Sequence, residues 1–326
     1  MIESKPKISV FTTCKNGGRF LRETLDSIFN QTFQDFEIVL VDGASTDNTL
    51  EILEEYKDEP RLRWISEPDN DANEGFQKAL RMTQGEYIMC CPVSDGYLSR
   101  NWFQKCVDVL KNDHEVSLVY GLPQLIMEDG SLGKVEYSEF FTNSPPQKMD
   151  FFPYWLATFF HYPELNYCVR TNIFKKMFPE ANSNESFNKT NPFKKFLYNF
   201  NVSGYLPYFL PIVACFGRLH SDSRNKAFAE SNINTTNLYI SDVIEYRNEV
   251  LSGRTKHLFR DGKSNVIKTI QPHELRDYRR KVLMYRLTRN NYLGYVDKLN
   301  LNYWKAKFSL IRKVKKGILK IIKIFE

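Results

Sequence analysis

The stretch "ISVFTTCKNGGRFLRETLDSIFNQTFQDFEIVLVDGASTD", residues 8–47, decides the fold. It holds two short apolar runs rich in β-branched residues, Ile8 to Thr13 and Phe36 to Val41, each ending on polar residues. Between them, Asn16-Gly17-Gly18 is a turn signal, and Leu21, Leu25, Ile28 and Phe29 recur at helical spacing. The second run is almost wholly apolar, as expected of a strand covered on both faces.

The same rhythm continues outward. Asp42 to Asp47 reads as a loop, with Thr46 or Asp47 placed to cap a helix that runs to about Tyr56. Leu62 to Ile65 is a third strand, residues 73–83 a helix ended by Gly85, and Glu86 to Cys91 a fourth strand broken by Pro92. Alternating strands and helices predict an α/β fold with a parallel, doubly wound sheet. Ligands bind such sheets beyond the carboxyl ends of the strands. Those ends are Thr12 to Asn16, Asp42 to Ser45, Glu67 to Asp71, and Ser94 to Gly96. Asp95, alone after the fourth strand, is thus expected to share a site with Asp42 and with Asp69 or Asp71. Any one of these acids alone reads more readily as a turn residue or a helix cap. No Gly-x-Gly-x-x-Gly follows the first strand and no P-loop occurs, which argues against dinucleotide and P-loop sites.

The bulk composition, 42% apolar and 26% charged over 326 residues, is that of a globular protein with room for one large domain and an appendage. Charge is uneven. Residues 1–160 carry 15 Lys and Arg against 26 Asp and Glu, and the remainder 30 against 13. An acidic first half does not suit nucleic acid and does suit a metal-assisted site. The six cysteines include no Cys-x-x-Cys pair and read as reduced core thiols. No run of 18 apolar residues predicts a spanning helix, and Met1 to Lys7 lacks a signal-peptide core, so a cytoplasmic location is expected.

Residues 8–53, followed by "WISEPDNDANEGFQKALRMTQGEYIMCCPVSDGYL" in the same order and spacing, resemble the GT-A glycosyltransferases of the family-two type. A later "GRLHSDS", residues 217–223, resembles the closing Arg-x-His segment of that fold. The resemblance implies a Rossmann-like, mainly parallel sheet with helices on both faces, a nucleotide-sugar donor, and inverting transfer to an acceptor hydroxyl. It implies that Thr12, Glu37 and Asp42 hold the nucleoside, with Cys14, Asn16, Ser45, Asp69, Asp71 and Ser94 around it. Val93-Ser94-Asp95 stands where the family carries an Asp-x-Asp-like motif, so Asp95 is the implied ligand of Mg²⁺ or Mn²⁺. His220 could add a nitrogen ligand, which would favour Mn²⁺. A divalent ion there would offset charge gathering on a leaving nucleoside diphosphate.

The chain departs from the family pattern in three places. Val93 replaces the first acid of the metal motif, and Gly43 the usual second Asp after strand two. The family's catalytic base lies on a helix whose match here, residues 185–197, offers Asn191 and Pro192, and Asn is no general base. Glu164 is the first substitute and Asp222 the second. The aromatic stretch of residues 135–163 reads either as packing over the sheet or as an acceptor platform, with Tyr154, Trp155, His161 and Tyr162 offered for stacking on sugar and Arg218 beside them.

The expected organisation is a catalytic domain over 1–225, divided into a nucleotide-sugar half (1–100) and an acceptor half (101–225). A helical extension over 226–300 and a basic amphipathic helix over 301–326 complete it. In the last, Trp304, Phe308, Ile311, Val314, Ile318, Ile322 and Phe325 recur at helical spacing among eight Lys and Arg. Residues 303–325 suit an anionic membrane surface, at roughly 1 kcal/mol per base, which would place the protein on the inner face of the cell membrane. The expected activity is transfer of a sugar to a glycan or lipid-linked acceptor. The alternatives are a non-catalytic sugar-nucleotide- or glycan-binding protein on the same fold, and a nucleotidyltransferase. For the latter, Lys15 to Arg19 is a poor phosphate loop.

Overall fold

The computed structural model describes residues 5–70, 72–163, 166–180, 191–220 and 235–288. Strands β1 (Ile8–Cys14) and β2 (Phe36–Asp42) are buried along their whole length. They pair in parallel with Ile8 opposite Phe36 and Cys14 opposite Asp42. β3 (Leu62–Ser66) and β4 (Tyr87–Cys90) join in parallel on either side. The connecting helices bury the stripes expected of them: α1 (Leu21–Phe29) uses Leu21, Thr24, Leu25 and Ile28, at intervals of three and four residues.

The second half of the sheet is mixed rather than parallel. The other strands are β5 (Gly96–Tyr97), β6 (Val116–Ile126), β7 (Leu132–Val135), β8 (Tyr167–Arg170) and β9 (Leu206–Arg218). The order across the sheet is β3-β2-β1-β4-β8-β6-β9-β5, with β7 on β6. β8 runs antiparallel to both β4 and β6, while β6 and β9 are parallel. The chain reaches β8 from the carboxyl edge of the parallel half, so β8 must run back down the sheet.

Two cores follow from strand alternation. Val10, Ile38, Leu40 and Met89 meet α1, α2 (Thr49–Glu55) and α4 (Trp102–Asn112). Phe11, Val39, Val41 and Ile88 meet α3 (Ala72–Met82), α5 (Phe151–Thr158), α6 (Thr171–Met177) and α7 (Pro192–Val202). The six cysteines are buried and form no disulfide. Helix α5 is buried on all sides from Phe151 to Ala157, because α8 (Thr235–Ser252) and α9 (Leu275–Thr288) cover its outer face. Trp155 Nε1 donates to Tyr239 Oη at 2.8 Å, and the Tyr154 and Tyr285 rings meet edge to face at 5.5 Å. Residues 235–288 therefore share the core of the sheet, and they include a hairpin, β10 (Leu258–Arg260) with β11 (Val266–Thr269), besides helices. The boundary expected near residue 225 and the basic helix of 301–326 lie outside the described residues. Among the described residues no helix is long and apolar enough to cross a membrane.

His257 is sealed into this aromatic layer. Its ring stacks on Phe152 at 3.7 Å, Nδ1 lies 2.8 Å from Tyr246 Oη, and buried Nε2 has no hydrogen-bond partner. Burial pushes its pKa down to about 3. Between that value and about 6.5 the unfolded chain binds a proton that the folded chain refuses, so stability falls as the pH drops through this window. Wild type at pH 5 is expected to lose about 2 kcal/mol through this group relative to pH 7.5. His257→Phe should flatten the difference between urea midpoints at the two pH values. Equal slopes in the two proteins would remove His257 as the cause.

Candidate active site

The carboxyl ends of β1, β2 and β4 meet at one edge, and three residues there that are not glycine hold positive φ: Asn16 (54°), Ala44 (56°) and Ser94 (96°). Such backbone costs of order 1–3 kcal/mol per residue and persists where surrounding bonds over-determine it. Here they do. Asn16 N–H donates to Ser45 Oγ at 2.7 Å, and Asn16 Oδ1 accepts from Thr46 N–H at 2.9 Å. Ser94 N–H donates to Thr24 Oγ1 at 3.2 Å, and that hydroxyl donates to Asp95 O at 2.8 Å. The hydroxyl of α1 thus clamps the loop after β4.

Asp42 is fully buried and anchors the loop after β2. Its Oδ2 accepts from Ser45 N–H at 2.9 Å and from Ser66 Oγ at 2.7 Å. Its Oδ1 accepts from Ser45 Oγ and, at 3.5 Å, from Cys14 Sγ. Burial, then the Asp42 charge, pushes the Cys14 thiol far up, so Cys14 stays protonated as a donor. Four donors fill the acceptor sites of one carboxylate. Asp42 is therefore spent on holding the loop.

Asp69 occupies the space beside it. A Cβ built on Gly43 would lie 2.8 Å from Asp69 Oδ2, and one on Gly75, in the first turn of α3, 3.1 Å from the same oxygen. The carboxylate of Asp69 thus stands where a side chain at position 43 would begin. Val93, in place of the first acid of the metal motif, packs on the opposite loop: a Cβ on Gly17 would lie 2.9 Å from Val93 Cγ1.

Asp95 is gripped by the last strand. Arg218 N–H donates to Asp95 Oδ1 at 3.0 Å. The buried Arg218 guanidinium reaches Ser94 O and Met127 O, both at 3.4 Å, pairs with Glu23, and lies over the Phe20 ring at 4.9 Å. The His220 ring sits 5.0 Å from the same Phe20 ring, and its buried Nδ1 has no hydrogen-bond partner. Among the described residues no cluster of three or more His, Cys, Asp or Glu forms a ready metal cage. By chemistry, the Asp95 carboxylate and the His220 imidazole are donors that a divalent ion accepts, and its remaining oxygens would come from diphosphate and water.

Several expected site residues lie elsewhere. Glu37 is near the amino end of β2, opposite Ser9, and five residues below Asp42, about 16 Å along the strand. Its carboxylate takes Ser9 Oγ at 2.6 Å and Gln84 N–H at 2.8 Å, and pairs with Arg63. It ties the far edge together and cannot reach a ligand at the carboxyl edge. Thr12 is buried on the α1–α4 face between Val10 and Cys14, with no opening to the edge. Tyr154, Trp155 and Tyr162 are 0% exposed and offer no ring face to a sugar. Their stretch is packing, because α8 and α9 cover it. Only His161 of that group is partly exposed. Arg218 is likewise buried and positions Asp95 instead of meeting an acceptor. Asn191 caps α7, accepting from Phe193 N–H at 2.9 Å with Pro192 behind it, which explains an amide where a base was sought. Asp71, Glu164 and Asp222 lie outside the described residues.

The sequence reading passes over Thr24, Ser66 and Glu23. Ser66 closes β3, one residue before the polar stretch that begins at Glu67. Thr24 and Glu23 sit in a helix whose sequence shows only its amphipathic period.

Comparison with known proteins bears on the family and the fold. The family described as "Glycosyl transferase family 2" matches residues 9–174. The chain is 31% identical over 128 residues to the chondroitin synthase of Escherichia coli, covering 39% of this chain and 18% of that protein. It is 30% identical over 132 residues to the hyaluronan synthase of Pasteurella multocida, covering 40% and 14%. It is 27% identical over 135 residues to the poly(ribitol-phosphate) β-N-acetylglucosaminyltransferase TarS of Staphylococcus aureus, covering 38% and 23%. The matched segment spans less than a quarter of each relative. S. aureus TarS 1-349 in complex with UDP-GlcNAc superposes with a TM-score of 0.55 at 16% identity, covering 90% of this chain and 76% of that one. The mannosyltransferase PcManGT of Pyrobaculum calidifontis, in complex with GDP-Man and Mn²⁺, gives 0.52 at 15%, covering 88% of each. At such identities these structures speak for the shared GT-A fold. The family match runs from β1 into α6 and takes in the loops that carry Asp42, Asp69 and Asp95, so the chain belongs to glycosyl transferase family 2.

Proposed function

We propose that this chain transfers a sugar, with inversion, from a nucleoside-diphosphate sugar to a hydroxyl of a glycan or lipid-linked acceptor, assisted by Mg²⁺ or Mn²⁺. The observation that carries this reading is the convergence of Asp42, Asp69 and Asp95 on one strand edge, each held differently. Asp42 fixes the loop under the nucleoside. Asp69, lying against Gly43, supplies the acid that contacts it. Asp95, with His220, would hold the ion on the diphosphate, whose charge on departure needs an offsetting cation. TarS bound to UDP-GlcNAc and PcManGT bound to GDP-Man and Mn²⁺ support the donor class. The names of the matched synthases support a glycan acceptor. The acceptor proton would pass to Glu164 or Asp222, and residues 303–325 would hold the enzyme against an anionic leaflet.

The test is calorimetric titration of wild type and Gly43→Ala with UDP, GDP and dTDP, each with and without Mn²⁺. One nucleotide should bind wild type in a metal-dependent way. Gly43 does not have positive φ, so Ala is tolerated by the backbone and acts by displacing Asp69. Affinity should fall about tenfold, the worth of one displaced polar contact. Unchanged affinity would remove Asp69 from the site, and no nucleotide binding to wild type would favour the non-catalytic glycan-binding reading.

A further inference from the structure

Helix α9 has two unlike faces. Tyr278 and Val282 face inward and are only 7% and 4% exposed. The Tyr278 ring meets that of Phe152 in α5 at 6.1 Å, and Tyr285 meets Tyr154 at 5.5 Å. On the outer side Leu283 and Met284 are 46% and 47% exposed. Arg276, Arg279, Arg280 and Arg286 are exposed as well. Helical spacing gathers these residues on one surface. Leu283 stands three or four residues from Arg279, Arg280 and Arg286, and Met284 four from Arg280.

A face that only meets water gains nothing from this arrangement. Like charges three and four residues apart repel, and Arg276 precedes Arg279 and Arg280 at those intervals. Arg276 also lies in the first turn, where the helix dipole disfavours a cation. Of the four, only Arg286, in the last turn, is placed where the dipole favours it. The one acid in α9, Asp277, is paired with Lys281 at 3.5 Å. Among the described residues none of the four arginines is in an ion pair. Arg279 Nε donates instead to a backbone carbonyl, Leu251 O, at 2.7 Å.

Exposed apolar side chains ringed by cations match an anionic bilayer. Lipid phosphates take the guanidinium groups, and the acyl boundary takes Leu283 and Met284. A soluble polyanion would meet the arginines and leave the apolar pair in water. The basic amphipathic stretch 303–325 begins 15 residues after Thr288, the last residue of α9. A tether of that length spans at most ~50 Å, so both segments can reach one surface.

We propose that the outer face of α9 docks on an anionic lipid surface, as a second contact beside residues 303–325. α9 covers α5 on one face of the sheet, whereas the candidate active site opens at the strand edge. A leaflet seated on α9 thus leaves that edge free to receive a lipid-linked acceptor from the same surface. The inference extends the membrane reading of residues 303–325, and the experiment separates the two.

The whole chain is used, as wild type, Arg276→Gln/Arg280→Gln, Leu283→Ser/Met284→Ser and Trp304→Ser/Phe308→Ser. Each is sedimented with phosphatidylcholine vesicles and with vesicles rich in phosphatidylglycerol, and its thermal midpoint is recorded. Wild type should partition onto the anionic vesicles alone. Arg276→Gln/Arg280→Gln should weaken that partitioning about thirtyfold, the share of two bases. It should melt no lower than wild type, because a like-charge pair is removed. Leu283→Ser/Met284→Ser should weaken partitioning about tenfold. A purely structural role for this face would lower the midpoints and leave vesicle affinity alone, which overturns the proposal. A wild type that binds no vesicle overturns it too, as does one that binds heparin through these arginines and no vesicle. If only Trp304→Ser/Phe308→Ser releases the protein, α9 is not a contact and the reading of 303–325 stands. If the α9 variants release it and Trp304→Ser/Phe308→Ser does not, the α9 contact stands and the reading of 303–325 falls.

Discussion

Asp95→Ala is expected to slow sugar transfer about a thousandfold and to abolish metal-dependent nucleotide binding. The protein should remain folded. The backbone at Ser94 and Asp95 is held by Thr24, whose hydroxyl takes Ser94 N–H at 3.2 Å and donates to Asp95 O at 2.8 Å, and neither bond uses the carboxylate. Among what the substitution removes are the bond from Arg218 N–H and a negative charge. The first is worth about 1 kcal/mol of stability. The second is what the proposed ion requires of this position. Asp95→Asn discriminates between them, since its amide oxygen can still accept from Arg218 N–H. It should restore the urea midpoint and fail to restore transfer. If Asp95→Ala transfers sugar within a few-fold of wild type, the account of Asp95 as metal ligand is wrong.

Asp42→Ala should have the largest effect on stability, about 3–4 kcal/mol. Three of its four donors are Ser45 N–H, Ser45 Oγ and Ser66 Oγ, and the loop they fix includes Ala44 at a φ of 56°. Without the carboxylate, the partly buried Ser45 N–H loses its acceptor and the strained backbone loses its restraint. Asp42→Asn should cost less, about 1–2 kcal/mol, because an amide oxygen can face Ser45 N–H and Ser66 Oγ while its NH₂ meets Ser45 Oγ. Urea denaturation of the three proteins gives the order. If Asp42→Ala unfolds within about 1 kcal/mol of wild type, the four-donor anchor is not what holds the loop.

The first half of the fold was legible because its signals are local. β1 and β2 are continuous β-branched runs, and α1 shows its buried stripe at intervals of three and four residues. The mixed half was not. β8 is four residues long, and nothing within Tyr167 to Arg170 states that it runs against its neighbours. Direction depends on which edge of the sheet the chain has reached, a property of the whole path. The aromatic run 151–162 is equally ambiguous alone. A ring that stacks on sugar and a ring that fills a core have the same composition, and the difference here is made by α8 and α9, at least 70 residues away.

The site divides along the same line. Sequence determined the α/β order and the strand ends where polar residues gather, and thereby Asp42, Asp95 and one of Asp69 and Asp71 as candidates at one edge, because strand period and turn chemistry are written in neighbouring residues. Tertiary structure decided what each acid does. It placed Glu37 at the wrong end of β2, surrounded Asp42 with protein donors, set Asp69 in the space left by Gly43, and made Arg218 a clamp on Asp95. A carboxylate takes its role from the donors, charges and open space around it, and those are supplied by residues far away in the chain.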